Sequence, residues 1–347
     1  MIETIPVRAD ERFSVERVSE FLRISGIDVG DLEVEQFPAG QSNLTYLLRA
    51  DGWEAVLRRP PLGPIPPRAH DVAREFRILQ RLHPSFLLAP EPYVLCEDAS
   101  VIGAPFYVME RRHGLILDQE LPSDWTPDAQ LHHQIGESLV RVLVDLHAVD
   151  WQAASLGEIG HPEGYMQRQV GGWIERYARS RTDDVAQVEP LSAWLIRELP
   201  PSPVATMIHN DYKLNNVLLD STNPRRVTAV LDWEMSTVGD PLSDVASLLV
   251  YWTEPAESEM MGGLKSVTAE PSFPSRQEIA EWYADLSGRD LSALHWYVAF
   301  SYFKVGVICQ QIYFRWFKGQ THDERFAGHG QTAINLIRRA AEEARLS

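Results

Sequence analysis

"MIHNDYKLNNVLLD", residues 207–220, sets His209, Asp211, Lys213 and Asn216 between Met207-Ile208 on one side and Val217-Leu218-Leu219 on the other. The apolar flanks read as buried strand or turn, where charges left unpaired are costly. A partner must therefore meet these groups. Twenty-one positions beyond Asp211 stands a second acid, Asp232, which ends the apolar run "TAVL" and precedes Trp233-Glu234. A loop, a β-hairpin and a second loop over this interval would bring Asp211, Asn216 and Asp232 to one place.

Working outward, the chain of 347 residues is long enough for one large domain or two ordinary ones. Its 44% hydrophobic and 23% charged residues are those of a soluble globular protein. The net charge is −17, and no basic cluster is long enough to follow a phosphate backbone, so nucleic acid is not an expected partner. Cys96 and Cys309 lie far apart without metal-ligand spacing. They suit a reducing cytoplasm, the expected location, and argue against a disulfide framework or a zinc site. The opening "MIETIPVRADERF" has no apolar core of a secretory signal. The run "ALHWYVAFSYFKVGVICQQIYFRW" is broken by His295, Lys304 and Arg315 and falls short of the roughly 20 apolar residues of a membrane span. It reads as a buried helix, and no membrane partner is expected.

The pattern divides near residue 110. Before it, "LEVEQF", "NLTYLLRA" and "EAVLRR" are short strand-like runs separated by "PAGQS" and "DG", as in a β-meander. A proline-rich stretch, "RRPPLGPIPPRAH", precedes a helix that Asp71 caps and that runs to about His83, with Val72, Phe76, Leu79 and Leu82 on one face. "APFYVME" reads as a further strand. After residue 110 the period becomes helical: Ile135, Leu139, Val142, Leu143 and Leu146 recur between Gln130 and Ala148. More helix is predicted at 163–180, 187–199, 240–252, 276–287, 291–317 and 329–345. The segment "EPAESEMMGGLKSVTAEPSFPS" reads as a mobile surface loop. The expected organisation is an α+β fold: residues 1–110 form a small antiparallel-sheet lobe with one helix, and 111–347 a larger, mainly helical lobe.

Phosphoryl transfer needs a cradle for nucleotide phosphates, a cation to pin them, Mg²⁺ ligands and a carboxylate that orients the attacking hydroxyl. His209-x-Asp211-x-Lys213-x-x-Asn216 has the spacing of such a catalytic loop. Asp211 would accept the proton of the substrate hydroxyl, or orient that hydroxyl, and Lys213 would offset charge on the moving phosphoryl group. The Asn216 amide oxygen and the Asp232 carboxylate are hard ligands suited to Mg²⁺.

These segments, "HNDYKLNN", "LDWE" and "GDPLSDVASLL", resemble the aminoglycoside phosphotransferases and choline-kinase-like relatives of protein kinases. The resemblance covers about residues 30 to 340. "RRPPLGPIPPRAHDVAREFRILQRL" is more similar still to the kinase-like domains joined to acyl-CoA dehydrogenases and their free-standing bacterial relatives. It implies a protein-kinase-like, two-lobed fold that uses ATP and Mg²⁺ to phosphorylate a hydroxyl on a small-molecule acceptor. It also implies that Arg58 in "AVLRR" stands where the family has its strand lysine, a change from point charge to fork that is not neutral. Glu75 would be the helix partner of Arg58. "FPAGQSNLTY" would cover the phosphates through Gly40, Ser42 and Asn43, although it has one glycine where protein kinases have three. "YVMERR" would be the hinge, with Met109, Glu110 and Arg111 offering backbone groups to adenine.

Other residues have plainer readings. His209 shapes the loop by hydrogen bonding to backbone, Asp240 and Asp244 cap a helix and brace that loop, and His147 is a satisfied core histidine. Gly40 reads equally as a turn glycine. Arg168, Trp173 and Tyr177 read either as the lining of an acceptor pocket or as one face of a packed amphipathic helix. The acceptor is open between an aminoglycoside and a hydroxyacyl metabolite or its CoA ester. A nucleotide-binding scaffold without turnover is the rival reading, motivated by Arg58 and the glycine-poor loop.

Overall fold

A computed structural model describes residues 4–38, 43–62, 71–123, 125, 128–321 and 323–346. Its first lobe runs β1 (Ile5–Pro6), α1 (Val15–Ile24), β2 (Glu33–Gln36), β3 (Leu44–Ala50), β4 (Trp53–Arg59), α2 (Val72–Leu82), β5 (Pro92–Cys96) and β6 (Phe106–Glu110). The strands form one six-stranded sheet in the order β1-β2-β3-β4-β6-β5, with every neighbouring pair antiparallel. Asp51-Gly52 joins β3 to β4 as a two-residue hairpin loop with Gly52 at φ 71°, a conformation that costs glycine nothing.

Both faces of the sheet are apolar, and this settles what must cover them. Tyr46, Leu48, Ala55, Leu57, Phe106 and Val108 share one face, packed with Val18 and Leu22 of α1. Val56, Tyr107 and Met109 look the other way, into a core continuous with the second lobe. Among the described residues the sheet lobe therefore has two helices, not the one expected. Strands apolar on both sides need cover on both, and Ser14, whose side chain accepts from the Arg17 N–H, starts the helix that provides it. β5, hidden in "APEPYVLC", was also not expected.

The helix after the proline-rich stretch forms as the pattern dictates. Asp71 caps it by accepting from the Arg74 N–H at 2.9 Å, and Val72, Phe76, Leu79 and Leu82 are all buried. Burial of each such side chain contributes about 1.5–3 kcal/mol. Glu75 lies on the same buried face.

The second lobe contains α3 (Ala129–His147), α4 (Tyr165–Ser180), α5 (Val188–Arg197), β7 (Thr206–Ile208), β8 (Val217–Leu219), β9 (Val227–Val230), β10 (Thr237–Gly239), α6 (Pro241–Tyr251), α7 (Ser258–Met261), α8 (Arg276–Ser287), α9 (Leu294–Phe317) and α10 (His329–Glu343). α9, the apolar run broken by Lys304, packs against α10, α6 and α4 and buries Trp296, Tyr297, Phe300 and Phe303. Among the described residues no helix is long and apolar enough to cross a membrane.

Residues 254–275, expected as a mobile surface loop, are instead pinned to the lobe. Met261, Val267 and Phe273 are buried, and the Phe273 ring stacks on His132 with centroids 4.1 Å apart. Glu257 and Arg276 form an ion pair across the segment. The polar composition concealed these three apolar anchors.

Candidate active site

β8 and β9 pair as the expected hairpin, Val217 with Val230, and the ladder continues to Leu231, whose N–H donates to the Asn216 carbonyl at 2.8 Å. Asn216 and Asp232 thus leave the same end of one hairpin. β7 and β10 pair on the other side of the loop, Ile208 with Thr237, so residues 209–216 hang between two short ladders. Asp211, Lys213 and Asn216 form one hydrogen-bonded group near this hairpin end. Asp211 accepts two bonds from Lys213 Nζ, at 3.0 and 2.8 Å, and one on Oδ2 from Asn216 Nδ2 at 2.9 Å. A further bond from Asn216 Nδ2 to the Asp211 carbonyl, 2.9 Å, fixes the amide's orientation and turns its Oδ1 away from Asp211.

The loop is braced from below. His209 is fully buried, its Nε2 donating to the Leu231 carbonyl at 2.9 Å while Nδ1 accepts from the Asp211 N–H at 3.3 Å. Both ring nitrogens are engaged with backbone groups, which is a structural role. Asp244, also fully buried, accepts the N–H groups of His209 and Asn210 at 2.6 Å each and faces His147 Nε2 at 3.4 Å. Burial opposes charge on Asp244, but His147, His209 and the His209 N–H outweigh it and hold its pKa below the ordinary carboxylate value. Asp240 caps α6 through the Leu242 N–H at 3.0 Å and accepts from the Tyr297 hydroxyl at 2.6 Å. His147 donates to or accepts from the Tyr283 hydroxyl at 2.8 Å, a satisfied core position.

From the sheet lobe, Arg58 reaches across. Its two terminal nitrogens divide between Glu75 of α2, at 3.0 Å, and Asp232, also at 3.0 Å. Burial alone would lower the Arg58 pKa, yet Glu75, Tyr107 and Asp232 raise it well above its ordinary value. Burial pushes Glu75 up to about 7 against the pull of Arg58. Asp232 adopts φ 68°, a left-handed conformation that aims its carboxylate back at the loop and the sheet. Burial raises its pKa, but Arg58, His209 and Lys213 more than reverse this, so it is held in the charged form.

Of the proposed phosphate-covering residues, Gly40 and Ser42 lie outside the described residues, and with them Gln41. Asn43 is buried and donates from Nδ2 to Glu234 Oε2 at 2.9 Å, two positions past Asp232. The hinge residues stand apart from the catalytic loop. Met109 is buried on the face that carries Val56, two rungs from Tyr107, the partner of Arg58. The Glu110 N–H donates to the Glu91 carbonyl at 2.8 Å, and its carboxylate accepts from the Glu91 N–H at 3.1 Å and pairs with Arg112 at 2.8 Å. Arg111 lies over the Phe37 ring, 4.9 Å from its centroid.

Two cations not read from the sequence complete the surroundings. Arg74, next to Glu75, donates to the carbonyls of Glu234 and Ser236 at 2.9 and 2.6 Å and ties α2 to the segment after Asp232. Lys304 of α9 donates to the Asn210 carbonyl at 3.0 Å. Burial pulls its pKa down against Asp211 and Asp244. A lone lysine in a largely apolar run is the signal that the sequence offers for it. Beside the loop opens a cleft of about 490 Å³, lined in part by Arg168 and Trp173 but not by Tyr177, which packs against Phe303.

The donor set suits Mg²⁺. One carboxylate of depressed pKa and one amide oxygen on a single hairpin end match a cation that binds through few protein ligands and keeps water and phosphate oxygens. Among the described residues no three His, Cys, Asp or Glu side chains form a closed metal cage.

A family model described as phosphotransferase enzyme family matches residues 33–282. Acyl-CoA dehydrogenase family member 10 of Mus musculus is 34% identical over 322 residues, covering 91% of this chain and 30% of that protein. The chain spans less than half the length of the curated relatives it matches, 30% and 42% for the first two. A crystal structure from Ralstonia eutropha, described as a candidate aminoglycoside phosphotransferase, superposes with a TM-score of 0.82 at 32% identity, covering 96% of this chain and 99% of that one. An aminoglycoside phosphotransferase crystallised as a ternary complex with ADP and hygromycin B shares the fold, with a TM-score of 0.59 at 20% identity over 93% of this chain and 98% of that one. The kinase-like fold, a sheet lobe beside a helical region, is common to all of these structures.

Proposed function

We propose, for a chain that belongs to the phosphotransferase enzyme family, that it transfers the terminal phosphoryl group of Mg-ATP to a hydroxyl of a small molecule. The nucleotide would lie between lobes 1–110 and 111–347. One observation carries the reading: Asp211, Lys213 and Asn216 form a single hydrogen-bonded group beside an Asp232 already in contact with the sheet-lobe cation Arg58. Asp211 accepts the proton of the acceptor hydroxyl, and Lys213, which Asp211 keeps protonated despite its burial, offsets charge on the group in flight. Arg58, oriented by Glu75, pins the nucleotide phosphates with a fork suited to their oxygens. Asn216 Oδ1 and Asp232 would hold Mg²⁺, which when bound neutralises phosphate charge. Asn43 and the segment from Gly40 to Ser42 would cover the phosphates, and Met109, Glu110 and Arg111 would border the adenine. Relatives of this fold crystallised with ADP and AMP-PNP support a nucleotide here.

The test is ADP release with Mg-ATP over a panel of hydroxylated acceptors, wild type against Asp211→Asn. Loss of a general base lowers turnover by about 10²–10⁴-fold, and nucleotide binding is expected to persist. Full turnover in Asp211→Asn would refute the role of Asp211. ATP bound without turnover on any acceptor would favour a nucleotide-binding scaffold.

A further inference from the structure

The cleft of about 490 Å³ beside the catalytic loop has a charge opposite to that of the molecule. Arg74, Arg168, Arg176 and Lys304 all line it, whereas Glu234 is the one carboxylate among the described lining residues, in a chain of net charge −17. The four cations come from three elements, α2, α4 and α9, so no single helix face accounts for them. Among the described residues none of the four side chains is seen in an ion pair, although the Asp71 carboxylate caps the Arg74 N–H at 2.9 Å and Asp71 and Glu75 act on the Arg74 guanidinium. Arg74 and Lys304 donate to backbone carbonyls, Arg168 does the same to His161 and Glu163, and Arg176 lies over the Trp173 ring at 4.5 Å. Glu234 Oε2 already accepts from Asn43 Nδ2 at 2.9 Å.

Four cations against one lining carboxylate create a local potential that recruits anions, tempered by Asp71 and Glu75 acting on Arg74 and by Asp211 and Asp244 acting on Lys304. Arginine forks match carboxylate and phosphate oxygens. Lys304 also borders the small space that touches Asp211, so the positive lining runs up to the proton acceptor. A polyamine placed here would meet four cations and one occupied carboxylate.

We propose that the acceptor is a hydroxylated anion, its carboxylate or phosphate held by Arg74, Arg168, Arg176 and Lys304 while its hydroxyl reaches Asp211. This rests on the phosphotransferase reading for the hydroxyl but not for the charge. A polycationic aminoglycoside is excluded as the fitting substrate.

The experiment uses one skeleton in three charge states: glycerate, glycerol 3-phosphate and glycerol, with kanamycin as the polycation. Binding is measured by calorimetry to the Asp211→Asn protein with Mg-ATP present, and turnover by ADP release with wild type. The two anions are expected to bind, glycerol and kanamycin not, and the tighter anion identifies the carboxylate or phosphate source. Arg176→Gln and Arg168→Gln should each weaken anion binding by about tenfold or more, the worth of a charged hydrogen bond, with ATP affinity unchanged. Glycerol or kanamycin binding as well as the anions, no anion binding at all, or indifference to both substitutions would overturn the proposal. Anion binding that both substitutions weaken, with no turnover in wild type, would sustain it and overturn the phosphotransfer reading alone.

Discussion

Replacing Arg58 by methionine removes the cation that Glu75 was folded against. Glu75 is 1% exposed, its Oε1 is 3.0 Å from the guanidinium, and the buried Tyr107 hydroxyl is its other polar neighbour. Breaking such a pair from one side strands a buried charge and costs about 3–5 kcal/mol, against a total stability of roughly 5–15 kcal/mol. The variant should fold but unfold at clearly lower urea concentration at pH 8. Adding Glu75→Gln removes the stranded charge, so the double variant should recover most of the loss. The pH dependence has a definite sign. Burial already raises Glu75 to about 7, above its unfolded value, and losing Arg58 raises it further. The penalty is therefore present above that pKa and is relieved as pH falls through it, so Arg58→Met should lose less stability at pH 5.5 than at pH 8. Urea unfolding of wild type, Arg58→Met, Glu75→Gln and the double variant at both pH values closes the cycle. A cost under about 1 kcal/mol for Arg58→Met, or no recovery on adding Glu75→Gln, would refute the pairing argument.

Two further outcomes follow from the site's supports. Asp244→Asn turns an amide N–H toward one of two backbone N–H donors now held at 2.6 Å. It should cost about 3 kcal/mol in urea unfolding and depress turnover, and an unchanged midpoint would refute the brace. Gly160→Ala would set a Cβ 2.8 Å from the Val238 nitrogen and 2.5 Å from Thr237 Oγ1, so β10 must shift. A stability loss of about 1–3 kcal/mol is expected in thermal unfolding, and an unchanged melting temperature would show that β10 yields freely.

The geometry of the loop was legible where spacing along the chain determines spacing in space. Asp211, Asn216 and Asp232 are linked by one tight hairpin, so their meeting follows from the apolar runs 217–219 and 227–230. α2 was legible because Asp71 and the apolar face both announce it. Arg58 and Glu75 came only through the resemblance, since a strand arginine and a helix glutamate look like surface residues until the fold turns both inward. The cleft was not legible, because Arg74, Arg168, Arg176 and Lys304 lie up to 230 residues apart and only tertiary packing gathers them. α1 was overlooked although Ser14, Val18 and Leu22 carried a cap and a helical period.

Asp244 has a consequence for ligand arrival. Its carboxylate ties two successive loop amides to a residue buried in α6, so residues 209 and 210 acquire their shape when the lobe folds. Little conformational entropy is then left in this part of the loop for a ligand to remove, a saving that rigid sites convert into affinity. Amide exchange at these two positions should accordingly follow the opening of the helical lobe, whatever occupies the cleft.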